Sequence, residues 1–459
     1  MSLLNGHLHG RQIHFVGIGG IGMSGLAQLC TARGLTVSGC DVRDGAMQQV
    51  LRCQGIPVAI GHHPKHLTAD VGLVVYSQAV SGQQAELLNA QTRGLATISR
   101  GQLLAELSST TRLIGVAGAH GKTTTSGMSA QLLIDAGWDP TVMVGGRMLS
   151  LGTNARHGRG RFMVTETDES DGSFLLLSPE IAIVTNIDRE HLNHYGTFEN
   201  LIAAFQRFVR QLGPRGVLIR CEDDPITRQA LTHPNLIAYG RHPHAMVRVT
   251  SMRRSGMGSE FRVEYRTHSL GTFRLQVPGE QNMLNALAVI SLGLTLELPL
   301  ETIRQALWAF RGTSRRFQVT TLPNDIVLVD DYAHHPSEIR ATLAADPWPA
   351  RHRVVVFQPH RFSRTKLLED DFAACFDRAD GLIVTDIYAA SEAPIPQVSG
   401  HRLAELIRSR GHRWVRYVPR KELVGFLRPF VQPHDTVFFL GAGDITDCCH
   451  ELATSLRPS

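Results

Sequence analysis

Leu113-Ile114-Gly115-Val116-Ala117-Gly118-Ala119-His120-Gly121-Lys122-Thr123-Thr124-Thr125 is the stretch on which the fold turns. Leu113 to Ala117 is a short apolar run of the kind a buried strand needs, and Thr123 to Ala136 reads as a helix, so the glycines between them make a strand-to-helix turn. Glycine leaves successive backbone N–H groups open to an anion. The helix N-terminus adds the positive end of its dipole, and the Lys122 ammonium can reach outer phosphates. Thr123 would offer its hydroxyl to a phosphate-bound magnesium ion. Strict Walker spacing would need glycine at Val116, so the loop is a variant. Of 46 basic residues only Lys65, Lys122, Lys366 and Lys421 are lysines. A lysine kept in such a turn points to a need for its compact, flexible ammonium.

Downstream, Glu166-Thr167-Asp168-Glu169-Ser170-Asp171 comes directly after the strand-like Arg161 to Thr165. Its carboxylates therefore fall at the carboxyl edge of a sheet, where a hard cation beside a phosphate is wanted. A third strand end, Thr185-Asn186-Ile187-Asp188-Arg189-Glu190-His191, adds an imidazole to the same edge. Glu166 and His191 join Thr123 as candidate magnesium ligands.

Upstream, Gly17-Ile18-Gly19-Gly20-Ile21-Gly22 lies after a strand, opens a helix and has Asp41 about twenty residues on, which satisfies GxGxxG with an acidic ribose partner. Taken alone, this predicts a nicotinamide-dependent reductase. Any nucleotide diphosphate could use the same backbone groups, and a UDP-linked substrate fits equally well. No later motif supplies a hydride-transfer site, whereas Lys122, Glu166 and His191 carry phosphate and magnesium chemistry.

The bulk properties bound the answer. A chain of 459 residues exceeds one hydrophobic core and predicts about three domains. The rhythm of strand-like and helix-like segments resets near Arg112 and again around Thr313 to Phe317, giving 1–111, 112–313 and 314–459. No stretch reads as a signal peptide or membrane span, so a cytoplasmic enzyme without membrane insertion is expected. Seven cysteines without CxxC pairs fit reduced thiols and argue against a zinc site built of thiolates. The net charge of +5 is spread evenly, so no nucleic-acid role is expected.

These motifs resemble the Mur ligase family over essentially the whole chain. Gly118 to Thr125 is similar to the family's ATP loop, Glu166 to Phe174 to the acidic motif of its alanine-adding branch, and Asn186 to His191 to its metal-binding strand end. Further matches are Pro278-Gly279 with Asn282 and Asn285, Arg315-Arg316-Phe317, Asp330 to Pro336, Gln358 to Thr365, and Gly441 to Asp444. The resemblance implies an α/β fold of three domains: an N-terminal Rossmann-like UDP-binding domain, a central P-loop ATPase-like domain and a C-terminal Rossmann-like domain.

It also implies that ATP phosphorylates the carboxylate of UDP-N-acetylmuramate, that the amine of L-alanine attacks the acyl phosphate, and that ADP and phosphate depart. On that reading Gly118, Ala119, His120, Gly121, Lys122, Thr123, Thr124, Asn282, Arg315 and Asp331 contact ATP. Thr123, Glu166 and His191 hold Mg2+, and Lys122, Glu166, His191, Asp331 and His335 serve catalysis. Gly17, Gly19, Gly20, Gly22, Asp41, Ser77, Arg361 and Arg364 bind the substrates, the two arginines clamping the amino acid's carboxylate. A monomer or a homodimer is compatible with this.

Three features depart from the family's pattern. Ala119 stands where threonine is usual and Gln281 where histidine is usual, and no lysine lies between Lys122 and Lys366 to serve as the carbamylated lysine of some sister ligases. The last agrees with the alanine-adding branch. The alternatives are a ligase that attaches a recycled tripeptide to the same sugar nucleotide, a NAD-dependent reductase, and a nucleotide sensor without catalysis.

Overall fold

The computed structural model describes residues 11–390 and 392–457. Three sheets carry the fold. The first contains β1 (Gln12–Val16), β2 (Val37–Asp41), β3 (Val58–Ile60), β4 (Val71–Tyr76) and β5 (Ala96–Ser99) in the order β3-β2-β1-β4-β5, all parallel. The order reverses between β1 and β4, so loops leaving those two strands open a crevice at the carboxyl edge. The turn after β1 is Gly17 to Gly22, and Ser77 comes directly after β4.

The second sheet has ten strands: β6 (Arg112–Ala117), β7 (Thr141–Met148), β8 (Thr153–Arg156), β9 (Phe162–Glu166), β10 (Ile181–Val184), β11 (Val217–Cys221), β12 (Leu236–Gly240), β13 (Val247–Ser255), β14 (Gly258–Tyr265) and β15 (His268–Leu275). Their order is β15-β14-β13-β12-β11-β10-β6-β9-β7-β8. β6 lies between β10 and β9 and is parallel to both, with Ala117 opposite Val184 and Val116 opposite Glu166. The three expected strand ends are thus adjacent on one edge.

The third sheet contains β16 (Gln318–Thr321), β17 (Val327–Asp331), β18 (Arg353–Phe357), β19 (Gly381–Val384), β20 (Val415–Tyr417) and β21 (Thr436–Leu440), ordered β16-β17-β21-β18-β19-β20. All pairs are parallel except β16 with β17.

Strands buried on both faces need continuous apolar runs, and alternate residues then serve opposite layers. Val329, Val355, Phe357, Phe438 and Leu440 join one core of the third sheet, while Leu328, Val354, Val356, Val437 and Phe439 join the other. In the first sheet Ile13 and Phe15 face one core, and Val16, Cys40 and Val74 the other.

By compactness the chain forms two units. One comprises Met1–Met252, Phe261–Arg274 and Leu284–Arg311; the other comprises Arg253–Glu260, Leu275–Met283 and Gly312–Ser459. In the former, the first two sheets share a core: Leu26, Leu29, Met143, Ala155 and Met163 belong to one cluster, and Asn154 Nδ2 donates to Ile21 O at 2.7 Å. Among the described residues no helix is long and apolar enough to cross a membrane.

Candidate active site

The turn after β6 is clamped from the neighbouring strand. Asn186 accepts the His120 amide on Oδ1 at 2.8 Å and the Ala119 amide on its backbone oxygen at 3.2 Å. The His120 carbonyl accepts from Thr185 Oγ1 at 2.6 Å and from Asn186 Nδ2 at 3.0 Å. Such an approach leaves no room for a side chain: a Cβ on Gly118, whose φ is 129°, would lie 2.2 Å from Thr185 Oγ1. Gly121, in the left-handed region, begins the helix Lys122–Asp135 with no side-chain cap. The helix's leading N–H groups therefore remain open to an anion.

Lys122 Nζ donates to Gly118 O at 2.5 Å, Ala119 O at 3.1 Å and Glu169 Oε1 at 2.7 Å. Burial disfavours its charge, but Glu169, Glu166 and Asp168 outweigh burial and hold the ammonium above its ordinary value. Glu169 is 1% exposed. Burial pushes its carboxyl up to about 7, with Lys122 pulling it down and Asp168 pushing it up.

Two cation-competent arrangements flank this pair. Thr123 Oγ1 and the Gly145 amide both donate to Glu166 Oε2, at 2.9 and 2.8 Å. Glu169, Glu190 and His191 offer three donors within 4.8 Å of one another. His191 Nε2 is 3.5 Å from Glu190 Oε2 and 3.9 Å from Glu169 Oε1, and Glu169 Oε2 is buried with no hydrogen-bond partner among the described residues. An unpartnered carboxylate oxygen beside a second carboxylate and an imidazole suits a small divalent cation. His191 thus lies in a donor cluster, as its strand-end position suggests, while Glu166 pairs with Thr123. The turn's own imidazole, His120 Nε2, is 2.9 Å from Asp188 Oδ2.

At the first sheet's crevice Gly17, Gly19, Gly20, Gly22, Asp41 and Ser77 come together. Asp41 Oδ2 accepts the Gly19 amide at 2.8 Å, and Gly17 lies against Ser77. A Cβ on Gly19 would fall 1.9 Å from Gln48 Nε2 and 2.9 Å from Asp41 Oδ2. Next to Gly22 is Arg100, whose Nη2 donates to Asp168 Oδ2 at 3.1 Å and Asp171 Oδ2 at 3.2 Å. Burial works against Arg100's charge, and Asp168 and Asp171 more than restore it.

In the second compact unit Asp331 ends β17 and His335 follows it, Arg361 and Arg364 follow β18, Arg315 precedes β16, and Asn282 lies in the helix Glu280–Thr295. Asp331 is buried and accepts the Phe317 amide on Oδ2 at 2.7 Å and the Ala333 amide on Oδ1 at 2.8 Å. It pins the turn carrying Arg315, Arg316 and Phe317; burial, against the pull of Arg316, pushes its carboxyl up to about 6. Arg315 donates to Gly441 O at 2.6 Å and stacks over Tyr332. His335, at the start of the helix Pro336–Ala344, has Nδ1 2.6 Å from Ser337 Oγ. Asn282 Nδ2 donates to Pro278 O at 2.6 Å.

Arg361 immediately precedes the helix Phe362–Leu367, and Arg364 lies within it. Arg364 Nη1 is 3.2 Å from His360 Nδ1, and Arg361 Nε is buried with no hydrogen-bond partner among the described residues. Burial, then the charges of His334, Arg364 and Arg361, push His360 down to about 2, so it is neutral and accepts from Arg364.

Three contributors escaped the sequence reading: Glu169 as the partner of Lys122, Asn186 as the clamp, and Arg100; Asn285, quoted there without a role, has its Oδ1 2.6 Å from where a Gly121 Cβ would be. Glu169 and Asn186 fall within the quoted motifs, but an irregular strand end has no periodicity to say which side chain turns inward. Arg100 opens a helix in a distant part of the chain and carried no signal.

Comparison with known proteins places this geometry. The family model described as "Mur ligase family, catalytic domain" matches residues 12–112, "Mur ligase middle domain" matches 116–293, and "Mur ligase, glutamate ligase domain" matches 315–443. The chain is 45% identical over 440 residues to the UDP-N-acetylmuramate–L-alanine ligase of Trichlorobacter lovleyi, covering 95% of this chain and 96% of that protein. It is 44% identical to the ligase of the same name from Sorangium cellulosum, covering 97% of each. Among solved structures, the UDP-N-acetylmuramate-alanine ligase of Thermotoga maritima superposes with a TM-score of 0.84 at 29% identity, covering 97% of this chain and 98% of that one.

Proposed function

The chain belongs to the Mur ligase family, and from that premise we propose that it joins L-alanine to the carboxylate of UDP-N-acetylmuramate at the expense of ATP, in peptidoglycan precursor synthesis. The observation that carries the reading is the meeting of Lys122, Thr123, Glu166 and Glu169 at the adjacent ends of β6 and β9. The open helix N-terminus and the Lys122 ammonium receive ATP phosphates. A carboxylate oxygen of the sugar nucleotide attacks the γ-phosphorus, the bond from phosphorus to the ADP oxygen breaks, and an acyl phosphate forms. The amine of alanine then attacks the acyl carbon, loses a proton, and phosphate leaves with the former carboxylate oxygen.

The cation we propose is Mg2+, held by Glu169, Glu190 and His191, with Thr123 and Glu166 offering a second place. When bound it would neutralise charge on the transferring phosphoryl group. Lys122 does the same from the protein side, and release from Glu169 frees it to move with the phosphate.

We assign the first sheet's crevice to the UDP moiety, through Gly17 to Gly22, Asp41 and Ser77, and the amino-acid carboxylate to Arg361 and Arg364. The unpartnered Arg361 Nε and the polarised Arg364 support that assignment. Three domains, 1–111, 112–313 and 314–459, are our division, supported by one sheet for each and by the breaks between the matched family segments. We place the reaction in the cytoplasm, where ATP is available.

Phosphate release from ATP with UDP-N-acetylmuramate and each of alanine, glycine and serine, with mass detection of the product, tests the reading. Alanine should give the fastest release and a product heavier by one alanyl residue. Release that needs no amino acid, or that responds only to a tripeptide, would overturn it.

A further inference from the structure

Below the glycine-rich turn of the first sheet lies a buried cluster for which the ligase reaction has no use. It gathers His14 from β1, Cys40 from β2, His62 and His66 from the connection after β3, and Glu86 from the helix Ala85–Thr92. Glu86 is fully buried, which is rare for glutamate unless it is paired. Its Oε2 lies 3.0 Å from both Cys40 Sγ and His62 Nδ1, and those two atoms are 3.1 Å apart. Its Oε1 takes His66 Nδ1 at 2.6 Å and the His63 amide at 3.1 Å. His14 is 2% exposed; its Nε2 stands 4.0 Å from Glu86 Oε1 with no hydrogen-bond partner among the described residues, while its Nδ1 is held by Ser38 Oγ at 2.9 Å.

Hydrogen bonding alone serves this group poorly. If the Cys40 thiol and the His62 ring both donate to Glu86, nothing bonds sulfur to nitrogen across their contact, and His14 Nε2 is left over. A cation answers all of these at once, because each atom then presents a lone pair. We propose that His14, Cys40, His62 and Glu86 form a buried site for a borderline transition-metal ion, zinc in particular. Imidazole, thiolate and carboxylate are each zinc ligands, and two imidazoles, one thiolate and one carboxylate supply the four donors of a tetrahedral site. An all-oxygen preference makes magnesium a poor occupant. The contacts among Cys40, His62 and Glu86, at 3.0–3.1 Å, are a few tenths of an ångström shorter than the roughly 3.3–3.6 Å between donors in a tetrahedral site with bonds of about 2.0–2.3 Å, while His14 Nε2, 4.0 Å from Glu86 Oε1, is farther out, so side-chain rotation must spread the first three and bring His14 in.

The supporting contacts are also present. His66 and the His63 amide orient Glu86, and Ser38 fixes the ring of His14, as outer partners do around metal ligands. The consequence reaches the substrate crevice. The Cys40 carbonyl accepts the Gly17 amide at 2.9 Å and the Ile18 amide at 3.0 Å, and the next residue, Asp41, holds the Gly19 amide. A metal on Cys40 would anchor the strand end from which the diphosphate turn hangs. The sequence contained no CxxC spacing because the donors come one at a time from separate segments.

Cobalt(II) titration of the full-length, chelator-stripped chain in excess Mg2+ tests the site. The expected result is one tightly held equivalent with the near-ultraviolet charge-transfer absorption of a cobalt–thiolate bond, displaced by zinc and accompanied by a rise in thermal midpoint. Cys40→Ser should abolish the absorption, and Glu86→Gln should weaken cobalt binding at least tenfold. A parent chain that shows no thiolate absorption with cobalt overturns the proposal, whether or not the variants fold, and so does a Cys40→Ser protein that keeps it.

Discussion

Replacing Lys122 with methionine separates what the lysine does for the fold from what it does for the reaction. Methionine keeps much of the side-chain length and removes the ammonium that Glu169 Oε1, Gly118 O and Ala119 O hold. Glu169 cannot turn to water, being 1% exposed. Burial already raises its carboxyl from 4.5 to about 7 against the pull of Lys122, so without the ammonium the value climbs further. A carboxyl whose folded pKa is raised contributes stability that is complete below its unfolded value and lost as pH rises through its folded value. In the parent that loss is complete just above pH 7; in the variant it continues towards the higher pKa. The stability gap from this group is therefore absent below pH 7 and widens by about 1.4 kcal/mol per pH unit above it. Beneath it lies a pH-independent part of about 1–3 kcal/mol, from carbonyls that lose a charged donor. Turnover should fall by a factor of order 10² or more, because the lost charge faces the transferring phosphoryl group. Thermal midpoints of both proteins from pH 6 to 9, with turnover measured alongside, check both parts. An equal gap at pH 6 and pH 9 would refute the electrostatic account, and near-parent turnover by a folded variant would refute the phosphate loop.

Glu169→Gln and His191→Ala should each raise the magnesium concentration needed for half-maximal turnover by about 10–100-fold, the usual loss when a metal site is weakened; unchanged magnesium titrations would remove both from the site. Gly19→Val should raise KM for the UDP substrate while leaving KM for ATP within about twofold, because its Cβ would strike Asp41 at the end of β2 and Gln48 in the helix Ala46–Cys53, both beside the first sheet's crevice. An equal rise for ATP would show that the two nucleotides do not occupy separate sites. Arg100→Met should lower stability at pH 7 by about 1 kcal/mol, a modest figure because the Asp168 side chain is 36% exposed. Burial opposes the Asp168 charge, but Arg100 and Lys122 hold its carboxyl down to about 2, so the pair stabilises above the ordinary aspartate value and loses its effect as pH falls through that range. Denaturation curves that coincide at pH 7 would dismiss the pair.

The parallel sheets were legible because their strands are unbroken apolar runs: Leu113 to Ala117 and Arg353 to Phe357 have few other readings. The edge at which the site lies was legible for the same reason, since a polar motif directly after such a strand has one place to go. Glu166, Lys122 and His191 were placed at that edge in this way. What the sequence hides is the direction of side chains in irregular segments. Asp168, Glu169 and Asp171 are neighbours in the chain, yet Glu169 turns to Lys122 while the two aspartates meet Arg100. Asp331, expected at the nucleotide, has both carboxylate oxygens engaged by backbone amides, and only the folded turn at Phe317 shows that. β13 to β15 were legible only as strand-like, because exposed residues such as Thr250 to Ser255 blur the apolar pattern.

Isotope transfer tests the central claim most directly. UDP-N-acetylmuramate labelled with 18O in its carboxylate, incubated with ATP, Mg2+, L-alanine and the parent protein, should yield inorganic phosphate carrying one labelled oxygen per turnover. That oxygen can reach phosphorus only if the carboxylate attacked it before the amine displaced phosphate. Amide product formed with unlabelled phosphate would contradict the acyl phosphate, and with it the role given to the ends of β6 and β9.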